Sequence, residues 1–343
     1  MRYELPDKVL ITGGREIGGL ESFALSLQAG FVARNIHAEV IPPLSIFKRL
    51  RELRNPRVLK ILSMRAVFAA PFARRTICIA HGIPRSDFRG QGWKTVAGMI
   101  ASFKLANLCP GVQLVSVSDY TATTLRAIFN VKSDAVIRNP VKSMYLESPD
   151  DAPGQRRFIT YVGRLVRAKN LHRLFPAIQD LLDETPGLRV CIIGEGEQRA
   201  ELEAMVVNDD RFEFHGAPSD LDVRECLRHT KVFVSGNEVE GFGITYLEAM
   251  SQGCIVAMPA CGGGIEIAPR QVGRSVLLLP LSWDRADVLT VLRQAMHSEW
   301  APIDVSHYTI ESVVTSYLRV DSAFSSAGHR AAAHSITGEP SLS

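Results

Sequence analysis

One pattern constrains this chain more than any other. Short, near-continuous apolar runs alternate with longer stretches of helical periodicity: "KVLIT", then 19–34, "HAEVI", "RTICIA", "WKTVAGMIASFKLAN", "VQLVSVS", "DYTATTLRAIF", "DAVI". Strands that lack polar alternation are covered on both faces, the condition of a parallel sheet with helices on either side. The rhythm breaks at "RNPVKSMYLESPDDAPGQRR", rich in Pro, Asp and Ser, which reads as a linker. It then restarts: "FITYVG", a helix over 171–184, "LRVCIIG", a helix over 197–207, "FEFHG", "LDVRECLRH", "KVFVS", a helix over 243–252, "CIVAMP", and helices over 285–299 and 310–324. The expected fold is therefore α/β, two tandem Rossmann-like domains over 1–150 and 151–308. Ligands bind at the carboxyl ends of such strands, so two halves facing each other would form a cleft. The small polar residues of 326–343 read as a disordered tail.

Charge divides at the same linker. Residues 1–150 carry a net +10 and residues 151–343 a net −7, giving +3 overall. This opposition points to an anionic partner for the first half. The six cysteines form no C-x-x-C pair, and most lie in apolar runs, as reduced core thiols do. No apolar run reaches membrane-spanning length, and the N-terminus lacks a signal-peptide layout, so a cytoplasmic protein is expected.

The stretch "ITGGREIGGLE" places glycines between a strand and a helix, where a dinucleotide could sit. Two features argue against a reductase. No tyrosine has a lysine four residues on, and the second strand ends "EVIPP" without an acid to hold an adenine ribose. Packing and ligand contact both suit Gly13 and Gly14, whereas Gly18 and Gly19, at the helix start, suit contact with an anion.

The most informative stretch is "EVEGFGITYLEAMSQGCIVAMP". Glu240 precedes a helix start near Phe242 or Gly243, and Glu248 lies more than one turn inside it. Gly241 and Gly243 allow a tight turn that bares N–H groups. An anion cradle flanked by two hydroxyl-accepting carboxylates fits a phosphate with a sugar on either side.

This acid, seven residues, acid pattern, with E-G-F-G and L-E-A-M, resembles the nucleotide-binding signature of retaining GT-B glycosyltransferases of family 4. Further stretches follow in the family's order: "GGLE", "AHG", "RNPV", "YVGRLVRAKN", "IIGEGEQRAEL", "FHG" and "PACGGGIEI". "YTIESVVTSYL" resembles the helix, here 309–325, that crosses back to the first domain. The resemblance implies that Arg164 and Lys169 grip the donor diphosphate and stabilise the leaving group. It implies that Glu248 receives the ribose hydroxyls and Glu240 lies beside the transferred sugar. Gly241, Phe242, Gly243, Ile244 and Thr245 would bind donor at the helix start, with Gly18, Gly19 and Glu266 contributing. His81 would sit near the donor sugar. The sequence departs from the family at Ala168, where an acid is common, and at Asn170, where glycine is.

The implied donor is a UDP- or GDP-sugar acting as co-substrate, with no other cofactor. The implied acceptor is a glycan or polyprenyl-diphosphate-linked glycan in envelope or exopolysaccharide synthesis. A metal is not expected. "DLD" at 220–222 has D-x-D spacing, but it follows Pro-Ser and opens a helix, as capping residues do. A non-catalytic nucleotide-sugar-binding partner of another transferase is the alternative. Residues 44–75 carry nine cations and one acid interleaved with apolar residues. That basic amphipathic segment can lie on an anionic membrane, at the inner face of the cell membrane, or form a Rossmann helix with a solvated basic face. It lacks the aromatic platforms of a nucleic-acid site.

Overall fold

A computed structural model describes residues 4–13, 19–82, 93–147, 156–267 and 269–336. The chain divides into two compact units, Met1–Pro140 with Ile310–Ser343, and Val141–Thr309.

The first unit opens with β1 (Lys8–Thr12), α1 (Gly19–Val32), β2 (His37–Ile41), α2 (Leu50–Arg54), β3 (Val58–Ser63) and β4 (Thr76–Ala80). It continues with α3 (Trp93–Leu108), β5 (Val112–Ser116), α4 (Asp119–Phe129) and β6 (Ala135–Val136). The strands are parallel in the order β2-β1-β3-β4-β5-β6. Every residue of β4 is buried, as a central strand covered on both faces requires. Gly13 ends β1, and a Cβ there would lie 2.7 Å from that of Ala24, so this glycine serves close helix–strand packing.

The basic stretch 44–75 is not one amphipathic helix. A 3-10 turn (Pro43–Lys48), α2, β3 and a longer 3-10 segment (Met64–Phe72) divide it. Pro56 follows Asn55, where the preceding residue avoids the helical region, and the β-branched "VLKIL" then enters the sheet. Lys60 is fully buried on β3. Its Nζ donates to the carbonyls of Asn55 (3.0 Å) and Val58 (2.7 Å), and burial lowers its pKa to about 7.

The second unit contains β7 (Phe158–Val162), α5 (Leu171–Glu184), β8 (Arg189–Ile193), α6 (Arg199–Met205), β9 (Phe212–Phe214) and α7 (Asp220–Arg228). It ends with β10 (Thr230–Val234), α8 (Ile244–Ser251), β11 (Ile255–Pro259), β12 (Val276–Leu279) and α9 (Arg285–His297). Its sheet is also parallel, in the order β12-β11-β10-β7-β8-β9. Leu171, Leu174, Phe175, Ile178, Leu181 and Leu182 recur at three- and four-residue spacing along α5 and fill the core with Val190, Val232 and Leu292. Each such side chain contributes about 1.5–3 kcal/mol by leaving water.

The division falls at Pro140, ten residues before the boundary that composition suggests. Residues 141–147 look like linker but pack in the second unit. Tyr145 is buried, its carbonyl accepts from Gln252 Nε2 (3.3 Å), and Lys142 pairs with Asp220 at 2.5 Å. From Ile310 the chain rejoins the first unit as α10 (Ile310–Ile336). A Cβ on Gly30 would meet Ile310 Cγ1 at 2.5 Å, so α1 and α10 approach closely only with glycine there. Arg75 binds the buried Asp321 carboxylate through two nitrogens, Nε to Oδ1 at 2.9 Å and Nη2 to Oδ2 at 2.7 Å. The stretch expected to be disordered from 326 is helical to Ile336, in keeping with the helix propensity of "AGHRAAAHS".

Candidate active site

In the second sheet, the chain moves outward from β7 through β8 to β9, then returns to β10 on the other side of β7. The crevice beyond the carboxyl ends of β7 and β10 is thus the topological switch point, where open α/β sheets bind ligands. The loop after β7 carries Arg164 and Lys169. The loop after β10 carries Glu240.

The first loop is shaped by close backbone contact. A Cβ on Gly194, after β8, would fall 1.9 Å from Gly163 O, so only glycine lets the two loops touch. A 3-10 turn (Arg167–Lys169) then ends at Asn170 with φ 55°. Asparagine visits this left-handed region more readily than most residues, which explains how it occupies the family's glycine position. Its Nδ2 donates to Gly236 O at 2.8 Å, fastening the β7 loop to the β10 loop. The Arg164 guanidinium is exposed and has no acidic partner among the described residues, while its carbonyl accepts from Tyr161 Oη at 2.9 Å.

Glu240 is where the two loops converge. Lys169 Nζ lies 3.2 Å from Glu240 Oε2, and Asn237 Nδ2 donates to the same oxygen at 2.6 Å. Asn237 is buried and is itself held: its N–H donates to Ser235 Oγ (3.2 Å), which also bonds Tyr246 Oη (2.7 Å). The next residue, Glu238, pairs with Arg173 at 2.9 Å, and Arg173 lies 3.6 Å over the Trp283 ring. Gly263 N–H donates to Glu240 O at 2.7 Å, which ties in the turn Gly263–Glu266 and brings Glu266, half-buried, to the same loop. With Ala168 where an acid was expected, Lys169 finds its carboxylate on the other loop, in Glu240. Sequence reading did not single out Asn237. A lone loop asparagine three residues before an acid carries no signal until the fold shows what it faces.

Gly243 enters α8 at φ 91° and has no side chain to cap the helix. The N–H groups of Ile244 and Thr245 open the helix, and no side-chain cap engages them. Phe242 is buried with its ring 5.9 Å from Tyr308. Gly241 is buried beside it. Glu248, the fifth residue of α8, is only 8% exposed, and its carboxyl makes no hydrogen bond among the described residues. Desolvation raises its pKa to about 8, with Lys142 opposing and Asp220 reinforcing the shift. The site thus offers one carboxylate already held by a cation, one carboxyl without a hydrogen-bond partner, and a helix start between them. That combination can bind an anion and hydroxyl groups together.

Other expected residues belong to the first unit. His81 follows β4 in the first unit, half-buried and 4.8 Å edge-to-face from Phe23. Desolvation lowers its pKa to about 4, so it is neutral at physiological pH. Gly18 lies outside the described residues, and Gly19 opens α1. Asp222 forms a capping box with Ser219 at the start of α7.

Two parallel six-stranded α/β sheets, the second with acids and cations gathered at its switch point, define the GT-B class of glycosyltransferase folds. Residues 147–277 match the family "Glycosyl transferases group 1". The chain is 30% identical over 173 residues to the phosphatidylinositol N-acetylglucosaminyltransferase gpi3 subunit of Schizosaccharomyces pombe, covering 49% of this chain and 37% of that protein. It is 24% identical over 303 residues to a GDP-mannose-dependent alpha-(1-6)-phosphatidylinositol monomannoside mannosyltransferase of Mycobacterium tuberculosis, covering 77% and 74%. Its matched part spans between 36% and 39% of the lengths of three curated relatives. Among solved structures, Anabaena HepE in complex with UDP and glucose superposes with a TM-score of 0.66 at 14% identity, covering 97% of this chain and all of that one. At that identity the likeness is one of fold.

Proposed function

We propose that the protein is a retaining glycosyltransferase that moves a sugar from a UDP- or GDP-sugar to a hydroxyl of a glycan or lipid-linked glycan precursor. The observation that carries this reading is the convergence on Glu240: Lys169 and Asn237 both engage Oε2, beside the uncapped start of α8. Oε1 is left to meet a sugar hydroxyl. Two relatives support the reading by their names, which describe transfer to phosphatidylinositol-based lipids, one of them from GDP-mannose. The complex of HepE with UDP and glucose supports a nucleotide-sugar donor.

In the proposed reaction the bond between the anomeric carbon and the diphosphate breaks. The acceptor oxygen bonds to that carbon from the same face, and its proton passes to the departing diphosphate. Arg164, Lys169 and the N–H groups of Ile244 and Thr245 stabilise the charge that develops on the leaving group, so the step needs no metal. Glu248 accepts the ribose hydroxyls, and Glu266 contacts the donor. Gly18, Gly19 and a neutral His81 are carried over on the family resemblance.

The test is a panel of UDP- and GDP-sugars, read first by thermal shift and then by nucleoside diphosphate release with and without glycolipid acceptors. A binding donor raises the melting temperature. Release of diphosphate from one donor, undiminished by a chelator, is the expected result. Binding without any release would leave a non-catalytic sugar-nucleotide module, and the absence of binding to any donor would overturn the reading.

A further inference from the structure

The first unit carries a surface that the proposed chemistry does not use. Fifteen large hydrophobic residues are exposed among the described residues, and five of them, Leu44, Phe47, Leu50, Phe68 and Phe72, lie in the two connections that join β2 to β3 and β3 to β4. All three exposed phenylalanines are here. Leu44 is 72% exposed and Phe72 53%. The core does not need them, because Ile46, Leu53, Ala66, Val67, Ala69 and Ala70 from the same connections already fill the space against the sheet.

The two connections share one face. The step from β2 to β3 passes over β1, and the step from β3 to β4 continues in the same direction. Right-handed crossovers running the same way lie on the same side of a sheet. Both bury residues in one core cluster, and Arg74 N–H donates to Leu53 O at 3.0 Å, so they touch. Seven of the nine cations of this stretch divide into two sets. Lys60 is buried, Arg49 pairs with Glu39 and Glu52, and Arg75 pairs with Asp321. Lys48, Arg51, Arg54 and Arg74 are exposed and meet no acid among the described residues. The only acid between 44 and 75, Glu52, is engaged by Lys8 and Arg49.

We propose that this face docks on an anionic lipid bilayer, with Phe47, Phe68, Phe72, Leu44 and Leu50 entering the interface and Lys48, Arg51, Arg54 and Arg74 meeting lipid phosphates. The charge selects this occupant. Apolar side chains ringed by cations match a surface that is apolar below and negative above. A second copy of the chain would bring the same cations against each other.

The experiment is sedimentation of the full chain with vesicles of phosphatidylcholine alone or with about a third phosphatidylglycerol. Binding to the mixed vesicles only, weakened by salt, is expected. The combined change Lys48→Ser, Arg51→Ser, Arg54→Ser and Arg74→Ser should weaken binding more than a hundredfold, at about fivefold per cation near the surface. Phe47→Ser, Phe68→Ser and Phe72→Ser together should abolish the part of binding that survives high salt. All these side chains are exposed, so melting temperature and nucleotide binding should stay unchanged, which separates loss of docking from loss of fold. Equal binding to both vesicles, no binding to either, or wild-type binding by both variants overturns the proposal. So does a wild-type dimer that becomes monomeric in the triple phenylalanine variant, because the surface would then belong to a second copy.

Discussion

Glu248→Gln separates two consequences of one buried carboxyl. Burial moves its pKa from 4.5 to about 8. A displacement of that size means that ionising the group in the folded, unliganded protein costs about 5 kcal/mol. Between pH 4.5 and 8 the folded state binds more protons than the unfolded chain. Stability therefore falls as pH rises through that window, and the full penalty is present above pH 8. Glutamine is a neutral near-isostere that never ionises. The variant should match wild type within about 1 kcal/mol at pH 5 and exceed it by about 2–5 kcal/mol at pH 8.5, relaxation taking up part of the penalty. Urea unfolding at pH 5, 7 and 8.5 measures this as a shifted midpoint at constant slope. Nucleotide binding moves the opposite way. Ribose hydroxyls donating to the carboxylate favour its ionised form, so binding at pH 7 should release a proton, visible by calorimetry as heat that varies with the buffer's ionisation enthalpy. The glutamine variant should lose that release and bind about 10–100-fold more weakly, the scale of a hydrogen bond to a charged group. Parallel pH profiles for the two proteins would refute the desolvation argument. Proton-neutral binding by wild type would refute the role of Glu248 toward the ribose.

Three further substitutions test the remaining contacts. Lys169→Ala should reduce turnover at least about a hundredfold, the scale of losing one preorganised charge contact. Asn237→Ala, which frees only one hydrogen bond on Glu240, should lower kcat about tenfold with little change in KM, and an equal loss in both variants would show that Asn237 acts by folding the loop. Arg75→Ala removes the two-nitrogen ion pair to the buried Asp321 carboxylate and should cost about 3–5 kcal/mol of stability. In chemical denaturation, Arg75→Ala with Asp321→Ala should be less damaging than the sum of the single changes, and strict additivity would mean that the pair does not hold α10 to its unit.

Much of this protein is legible in its residues. Uniformly apolar runs such as "FITYV" and "TICIA" mark strands, because a strand covered on both faces has no polar side to show, and α4 and α5 occupy the spans that their periodicity predicts. The short strand β12 and the strand β3 with a lysine at its centre were not legible. Lys60 reads as a surface charge until its ammonium is seen bonded to the carbonyls of Asn55 and Val58. Composition placed the first boundary ten residues late, because Tyr145 sits among polar neighbours and reveals its packing only when buried.

The candidate site divides along the same line. Glu240 and Glu248 stand out by local pattern, since a helix start with glycines and two acids is contiguous in the chain, whereas Arg164 and Lys169 stand out only through the family resemblance. That Lys169 meets Glu240, that Asn237 shares the same oxygen, and that Asn170 fastens one loop to the other depended on strand order. Local sequence dictates which side chains a segment can bury and where its backbone turns, because those energies come from neighbours along the chain. Which loops end side by side is decided by how strands pair across the sheet, and only the assembled sheet brings residues more than sixty positions apart within hydrogen-bonding reach.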